Sequence, residues 1–463
     1  MDSLERMERE PIIKLIISFS LPGVAGTLAN SLYNIVDRIF VGKIVGTEGL
    51  AAISVCFPIM LLGVSLCLLI GLGSAPLIAI ALGEEDRERA ERVLGQACGA
   101  LLLLGGLIFL VGRANLDFVL RLSGAGPAVL PMAREYLRIV LLGFPISLLG
   151  FGLNFCLRAE GRPGFAMGTQ VLGALVNILL DALFIYKLKM GVIGAAWGTV
   201  LAQAVSAAWV FSFYLLRRGI LRIRLRAITP DMRLLRRIGA LGLSSCLAEL
   251  SFTLLIVLFN QTLRRYGGDL AVSAIGIFTG WDSLLFLPAI GIGDAVQTLF
   301  GYNWGAGRPE RVLDSLKWAL ALTSGYFALS SLGVRLFIDP MMRCFTSDPE
   351  LLSLAAEGML ISYSAVVFSG IALVTSNFFQ GLGKARLSLF LTLHRQFLLL
   401  IPPILILPPL LGVRGVWFCF PVVDLGGGVL ALFMLVRYCK KLGLLSYNNG
   451  VLEGHRSSEV FEG

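Results

Sequence analysis

The sequence predicts an all-α integral membrane protein: twelve transmembrane helices in two pseudo-symmetric six-helix lobes. Three observations predict it. Apolar runs of eighteen residues or more recur from residue 12 to residue 438, and runs that long span a bilayer. The chain also repeats itself at about half its length. GVIGAAWGTVLAQ (191–203) is answered by GVRGVWFCFPVVD (412–424), ALGEEDRERAERVLGQA (81–97) by YNWGAGRPERVLDSLKWA (302–319), and NFCLRAEGRPG (154–164) by NFFQGLGKARL (377–387). A repeat of about 220 residues is a whole lobe rather than a solenoid unit. Finally, the basic residues alternate. Placing both termini and the even-numbered loops on one side collects about 24 Lys and Arg there, against about 10 in the odd loops, which marks the first side as cytoplasmic.

In chain order, the first span (12–41) follows a polar, charged leader and is long enough to be retained as a helix, so no cleaved signal peptide is expected. Pro22 inside it marks a candidate hinge. The second (49–82) ends in a charged turn, Glu84 to Arg92, and the third (92–113) returns from it. The fourth (130–156) and fifth (164–187) flank Arg158 to Arg162, and the sixth (191–217) runs into a basic linker. That linker, 218–235, divides the N-lobe (1–217) from the C-lobe (236–445). The seventh (236–264) and eighth (271–300) spans lead to a turn at Arg308 to Arg311, which the ninth (312–338) leaves. The tenth (352–379) and eleventh (386–411) flank Lys384 to Arg386, and the twelfth (413–438) precedes a polar tail, 446–463, read as disordered. Six spans per lobe is an even number, so both lobes enter the membrane in the same direction and are related by an axis along its normal.

Composition excludes several classes. Of 463 residues 56% are hydrophobic and only 15% charged, with mean hydropathy +0.82, whereas an ordinary soluble domain is nearer a quarter charged. The net charge of +9 reports topology rather than nucleic-acid binding, because Arg217, Arg218, Arg222, Arg224, Arg226, Arg233, Arg236 and Arg237 crowd the linker. The eight cysteines are scattered without a CxxC, and His394 and His455 are the only histidines. Neither a disulfide framework, nor a metal centre, nor any cofactor is therefore expected. No HExxH or GxSxG occurs, so the chain is not read as an enzyme.

Acidic residues inside apolar spans cost at least ~2.5 kcal/mol each at the bilayer centre and need a reason. Thr27, Asn30, Asn34 and Asp37 stack at intervals of three, four and three along the first span. Asp181 follows Asn177 by one turn in the fifth, and Thr199 and Gln203 share a face in the sixth. Together Asp37, Asn177, Asp181 and Thr199 offer an oxygen-rich set suited to Na⁺ or to a shared proton. The alternative is structural, each acid pairing with a helix neighbour such as Arg38. The second lobe is no copy: Glu249 shares a face with Ser245 and Thr253, Asp282 and Asp294 lie in the eighth span, and Arg395 has Asp424 or Glu249 as candidate partners. Phe57, Met60, Trp281 and Phe286 are candidate lining for a promiscuous pocket.

LYNIVDRIFVG (32–42), NILLDALFI (177–185), QTLFGYNWGAG (297–307) and FFQGLGKARLSL followed by HRQ (394–396) resemble the multidrug and toxic compound extrusion (MATE) family over essentially the full length, and within it a bacterial MepA-like subgroup. The resemblance implies a two-lobed exporter that moves cationic or amphipathic compounds outward in exchange for inward H⁺ or Na⁺, by rocking of its lobes. It implies a cation site at Asp37, Asn177, Asp181 and Thr199, with Asn154 lining the same cavity. Asn34, Gln203, Glu249, Trp281 and Asp282 complete the substrate-path candidates. The implied setting is the bacterial inner (plasma) membrane, both termini cytoplasmic, as a monomer with organic cations and the lipid bilayer as its partners. A flippase for lipid-linked saccharides is the competing reading. A pyrophosphate cavity calls for inward-facing Arg and Lys, whereas acids outnumber Arg395 in these spans.

Overall fold

In the computed structural model residues 3–444 are described, so the expected tail at 446–463 lies outside the described residues. Those described form helices α1 (Ser3–Arg9), α2 (Ile12–Ile44), α3 (Thr47–Gly83), α4 (Arg87–Ala114), α5 (Leu116–Leu122), α6 (Leu130–Ala159), α7 (Pro163–Asp181), α8 (Gly191–Leu215), α9 (Met232–Gly305), α10 (Pro309–Arg343), α11 (Pro349–Ser362), α12 (Val366–Gly381), α13 (Ala385–Leu393), α14 (Ile401–Leu411) and α15 (Val413–Lys441). Ten helices are long and apolar enough to cross a membrane, or eleven if the pair α11 and α12, bent by 53°, is one span.

The twelfth crossing comes from α9. At 74 residues it is far longer than a bilayer requires. It breaks at Gly268, whose φ of 65° and ψ of −161° are not helical and suit a residue without a Cβ. Phe259 and Phe278, on opposite sides of that break, both pack on Phe420, with ring centroids 5.0 and 4.8 Å away. The two limbs therefore fold back as the seventh and eighth spans. The expected spans are otherwise recovered within a few residues. Unforeseen are α1 and α5, the bend at Tyr363–Ala365, and two π-helical turns, Ala182–Lys187 and His394–Leu399. α2 runs unbroken through Pro22.

The internal repeat is visible turn by turn. Glu85, Gly161, Gly307 and Gly383 all have positive φ. Each starts a turn in which two successive N–H groups bond back to the helix just ended. For the second pair of spans these are Gly161 N to Arg158 O and Arg162 N to Leu157 O, matched by Gly383 N to Gln380 O and Lys384 N to Phe379 O. That is the Schellman solution to a helix C-terminus. Glu85 to Gly307 and Gly161 to Gly383 are each 222 residues apart.

The same register sets how the lobes meet. A Cβ on Gly83 would lie 2.1 Å from the Tyr302 carbonyl oxygen, and one on Gly305 would lie 2.1 Å from that of Ile80. Ile80 and Tyr302 are again 222 apart, so α3 and the second limb of α9 cross reciprocally on the pseudo-two-fold axis. Gly73 and Gly242 bring α3 equally close to the first limb, the small-residue packing that lets membrane helices touch backbone to backbone. Arg158 of α6 reaches Asp294 of α9 at 2.9 Å across the lobes. One apolar core fills the N-lobe and continues into the linker-end half of the C-lobe (Leu241, Val296, Phe300, Phe378), while a separate core (Phe259, Phe278, Trp417) fills the far half. The lobes are joined at the linker end.

α1 straps that end. Arg308 bonds both the carbonyl and the carboxylate of Glu8, and Arg311 donates to the Met7 and Glu10 carbonyls at 2.9 and 3.0 Å. The hydrogen bond from Arg308 holds the Glu8 carboxyl below its ordinary value of 4.5. A depressed carboxyl contributes its stability above its unfolded pKa and loses it as pH falls through the folded value. The strap is therefore expected to hold at neutral pH and loosen on acidification below about 4.5. A spin label on Ser3 checks this: mobility unchanged once the Glu8 carboxyl is protonated rules it out.

Candidate cation site and the cavity between the lobes

The first-lobe acids converge from three helices. Asp37 of α2, Asn177 and Asp181 of α7, and Thr199 of α8 are all buried. The Asp37 and Asp181 carboxyls face each other within hydrogen-bonding reach, so a bond between them exists only when one carries a proton. Asp37 makes no ion pair with Arg38 among the described residues; Arg38 instead lies over the Phe57 ring, 5.7 Å from its centroid. Asn177, Thr199 and Gln203 line a cavity of about 50 Å³ with Tyr33, Gln170 and Ser206. That is room for an ion or a water or two and no organic compound.

Local sequence explains the convergence. Gln170, Asn177 and Asp181 lie at helical intervals on α7, and Thr199, Gln203 and Ser206 do so on α8. Gly198 admits the acid: a Cβ there would lie 2.4 Å from Asp181 Oδ1. Gly198→Ala is thus expected to displace the Asp181 carboxylate while the protein still folds, and a structure of that variant with the carboxylate unmoved rules out the close packing. The π-turn Ala182–Lys187 begins directly after Asp181, a distortion that often accompanies functional positions.

Five side-chain atoms in this cluster make no hydrogen bond within the chain: Asp37 Oδ1, Asn177 Oδ1 and Nδ2, and Asp181 Oδ1 and Oδ2. Leaving one buried polar group unmet costs about 1–3 kcal/mol. Four of the five are oxygens, the donor type that a hard cation takes, and a shared proton satisfies the carboxyls equally well.

Other candidates sit elsewhere. Asn34 is exposed and donates to the Asn30 carbonyl of its own helix at 2.8 Å. The stack read along α2 therefore splits, and Tyr33, one turn before Asp37, faces the cavity instead. The Asn154 amide bonds the Ala166 carbonyl and Thr169 at the α6–α7 joint. The Trp281 indole donates to the Met341 carbonyl at 3.1 Å, and Asp282 accepts from Tyr363 at 3.0 Å. Gln170 and Ser206 were not singled out from the sequence, although each shares a helical face with a residue that was.

A second cavity, about 350 Å³, lies between the lobes. Glu249 and Asp294 of α9, Arg395, Asn377 and Gln380 line it, with Leu68 and Leu72 of α3 closing the N-lobe side. Its volume suits a drug-sized ligand. Arg395 pairs with Asp424 at 3.1 Å, which settles its partner, and Asp294 pairs with Arg158. Glu249 has no ion-pair partner among the described residues.

Known proteins resemble this chain over nearly its whole length. The MatE family model matches twice, over residues 22–183 and 241–406, once in each lobe. The multidrug export protein MepA of Staphylococcus aureus (strain MSSA476) is 24% identical over 453 residues, covering 98% of this chain and 99% of that one. A crystal structure of MATE in the bent conformation superposes with a TM-score of 0.90 at 27% identity, covering 96% of this chain and 99% of that one. The outward-facing conformation of a multidrug resistance MATE family transporter of the MOP superfamily superposes at 0.87 and 27%, covering 94% and 98%. The chain belongs to the MATE family, whose members are transporters and not enzymes.

Proposed function

We propose that this chain is a multidrug exporter that moves lipophilic organic cations outward in exchange for inward H⁺ or Na⁺. In this reading residues 1–217 and 236–445 rock as two bodies about the 218–235 linker, with both termini in the cytoplasm. The relatives' names support drug export. The observation that carries the division of labour is the pair of cavities: about 50 Å³ lined by Asn177 and Thr199, one turn along α7 from Asp181, and about 350 Å³ between the lobes. The small one fits the coupling ion alone, held by Asp37, Asn177, Asp181 and Thr199. The large one fits the drug, and Glu249 favours a cation there, because charge in a low-dielectric cleft attracts its opposite. Closure at the linker end corresponds to a state open to the other side, and two-body rocking about a midplane site gives alternating access.

The test is cationic-dye transport in inverted vesicles, with the pH gradient and the Na⁺ gradient imposed separately. Transport driven by either one supports exchange. Transport driven by neither, with a lipid-linked pyrophosphate saccharide moved instead, overturns it in favour of the flippase. Asn177→Ala and Thr199→Ala each remove one neutral ligand, so efflux is expected to fall about tenfold or less, roughly the cost of one hydrogen bond. A complete loss in either variant contradicts this ranking.

A further inference from the structure

A third cavity, about 480 Å³, lies at the linker end of the N-lobe, away from both sites above. Arg6 of α1, Ser18 and Pro22 of α2, Gly161 and Arg162 with the first three residues of α7, Phe213 of α8 and Arg218 beyond its end line it. Arg6, Arg162 and Arg218 put three positive charges in its lining, with Glu10 bonded to Arg6 and Glu160 adjoining Gly161 as the neighbouring carboxylates. The carboxylates are engaged: Glu10 accepts from Arg6 at 3.2 Å and from Lys14 at 3.4 Å, and Glu160 accepts from the Ile220 and Leu221 backbone N–H groups. Close in sequence to the lining residues, Ile17 and Leu21 on α2, Leu215 at the end of α8 and Leu216 after it form an apolar, exposed rim, the last two 75% and 61% accessible. Phe165 stacks on Trp209 at 5.2 Å beside it, the aromatic type that settles at headgroup level.

From this juxtaposition we infer a binding site for the phosphate headgroup of an anionic phospholipid, its acyl chains lying along α2 and α8. Arginine forks match a phosphodiester. A free phosphate shares that chemistry, but it has no use for the apolar rim. Basic residues at a membrane surface each add about 1 kcal/mol of attraction for anionic lipid, or about fivefold. The site also bears on the lobes, because α1 carries Arg6 into it and is strapped to α9 and α10 through Arg308 and Arg311.

The experiment uses the full chain in phosphatidylcholine nanodiscs and measures its association with labelled phosphatidylglycerol. The double variant Arg6→Gln/Arg218→Gln is expected to weaken association about 25-fold, at fivefold per arginine. Arg222→Gln/Arg226→Gln, in the same basic linker but outside the cavity, is expected to leave it unchanged. Arg218→Gln alone is expected to cost about fivefold and keeps the test valid if the double variant is unstable. The proposal is overturned if the cavity variants match wild type, if the linker control weakens association equally, or if millimolar inorganic phosphate displaces the lipid.

Discussion

Asp181→Asn is expected to abolish ion-driven efflux to the level of empty vesicles while the protein remains in the membrane at normal abundance. Asp181 is fully buried, and neither carboxylate oxygen has a hydrogen bond within the chain. Structural stability therefore gains little from its charge, and the amide fills the same volume. An amide can neither take up and release a proton nor offer a charged ligand to Na⁺, so coupling is lost whichever ion is used. Asp37→Asn is expected to behave alike, because its carboxyl faces that of Asp181. Glu249→Gln is expected instead to change which cations are exported, with substrate-induced ion flux retained. Wild-type rates in Asp181→Asn would falsify the first-lobe site, and loss of coupling in Glu249→Gln with Asp37→Asn still coupled would move the ion to the second lobe.

Gly242→Val is expected to prise the lobes apart at the linker end. A Cβ at this position would lie 1.8 Å from the Leu69 carbonyl oxygen and 2.5 Å from its carbon. These are backbone atoms of α3, which cannot swing aside as a side chain can. Overpacking of this kind typically costs about 1–3 kcal/mol, and here it falls on the state closed at this end. Thermal stability should drop, and spin labels across the linker end should report a longer distance. Gly239→Val, one turn earlier, is the control. A Cβ there meets nothing within 4 Å, so stability and label distances should stay near wild type. Equal behaviour of the two variants rules out the seam as the point where the lobes lock.

Much of the architecture was legible because bilayer physics constrains it so tightly. Apolar length marks the spans. The repeat marks the two lobes, and the 222-residue offset between matching turns comes within one residue of the offset between Asn154 and Asn377. Buried acids announced the first-lobe cluster, since a carboxylate in an apolar span is too costly to be incidental. Legibility stopped at side-chain direction. Both Tyr33 and Asn34 lie within about 60° of Asp37 on an ideal helix, so periodicity alone does not choose which one faces inward.

The sequence by itself determined the twelve spans, the duplicated lobes, the exclusion of soluble and enzymatic classes, and the acids of interest, because all of these follow from composition and spacing along one chain. Only the tertiary structure decided what depends on residues far apart. It turned Arg38 onto Phe57, gave Arg395 to Asp424 and Arg158 to Asp294, and folded α9 back at Gly268. It also separated an ion-sized space lined by Asn177 and Thr199 from a drug-sized one lined by Glu249. Cavity size and charge pairing arise where several helices pack together, so no single stretch of sequence carries them.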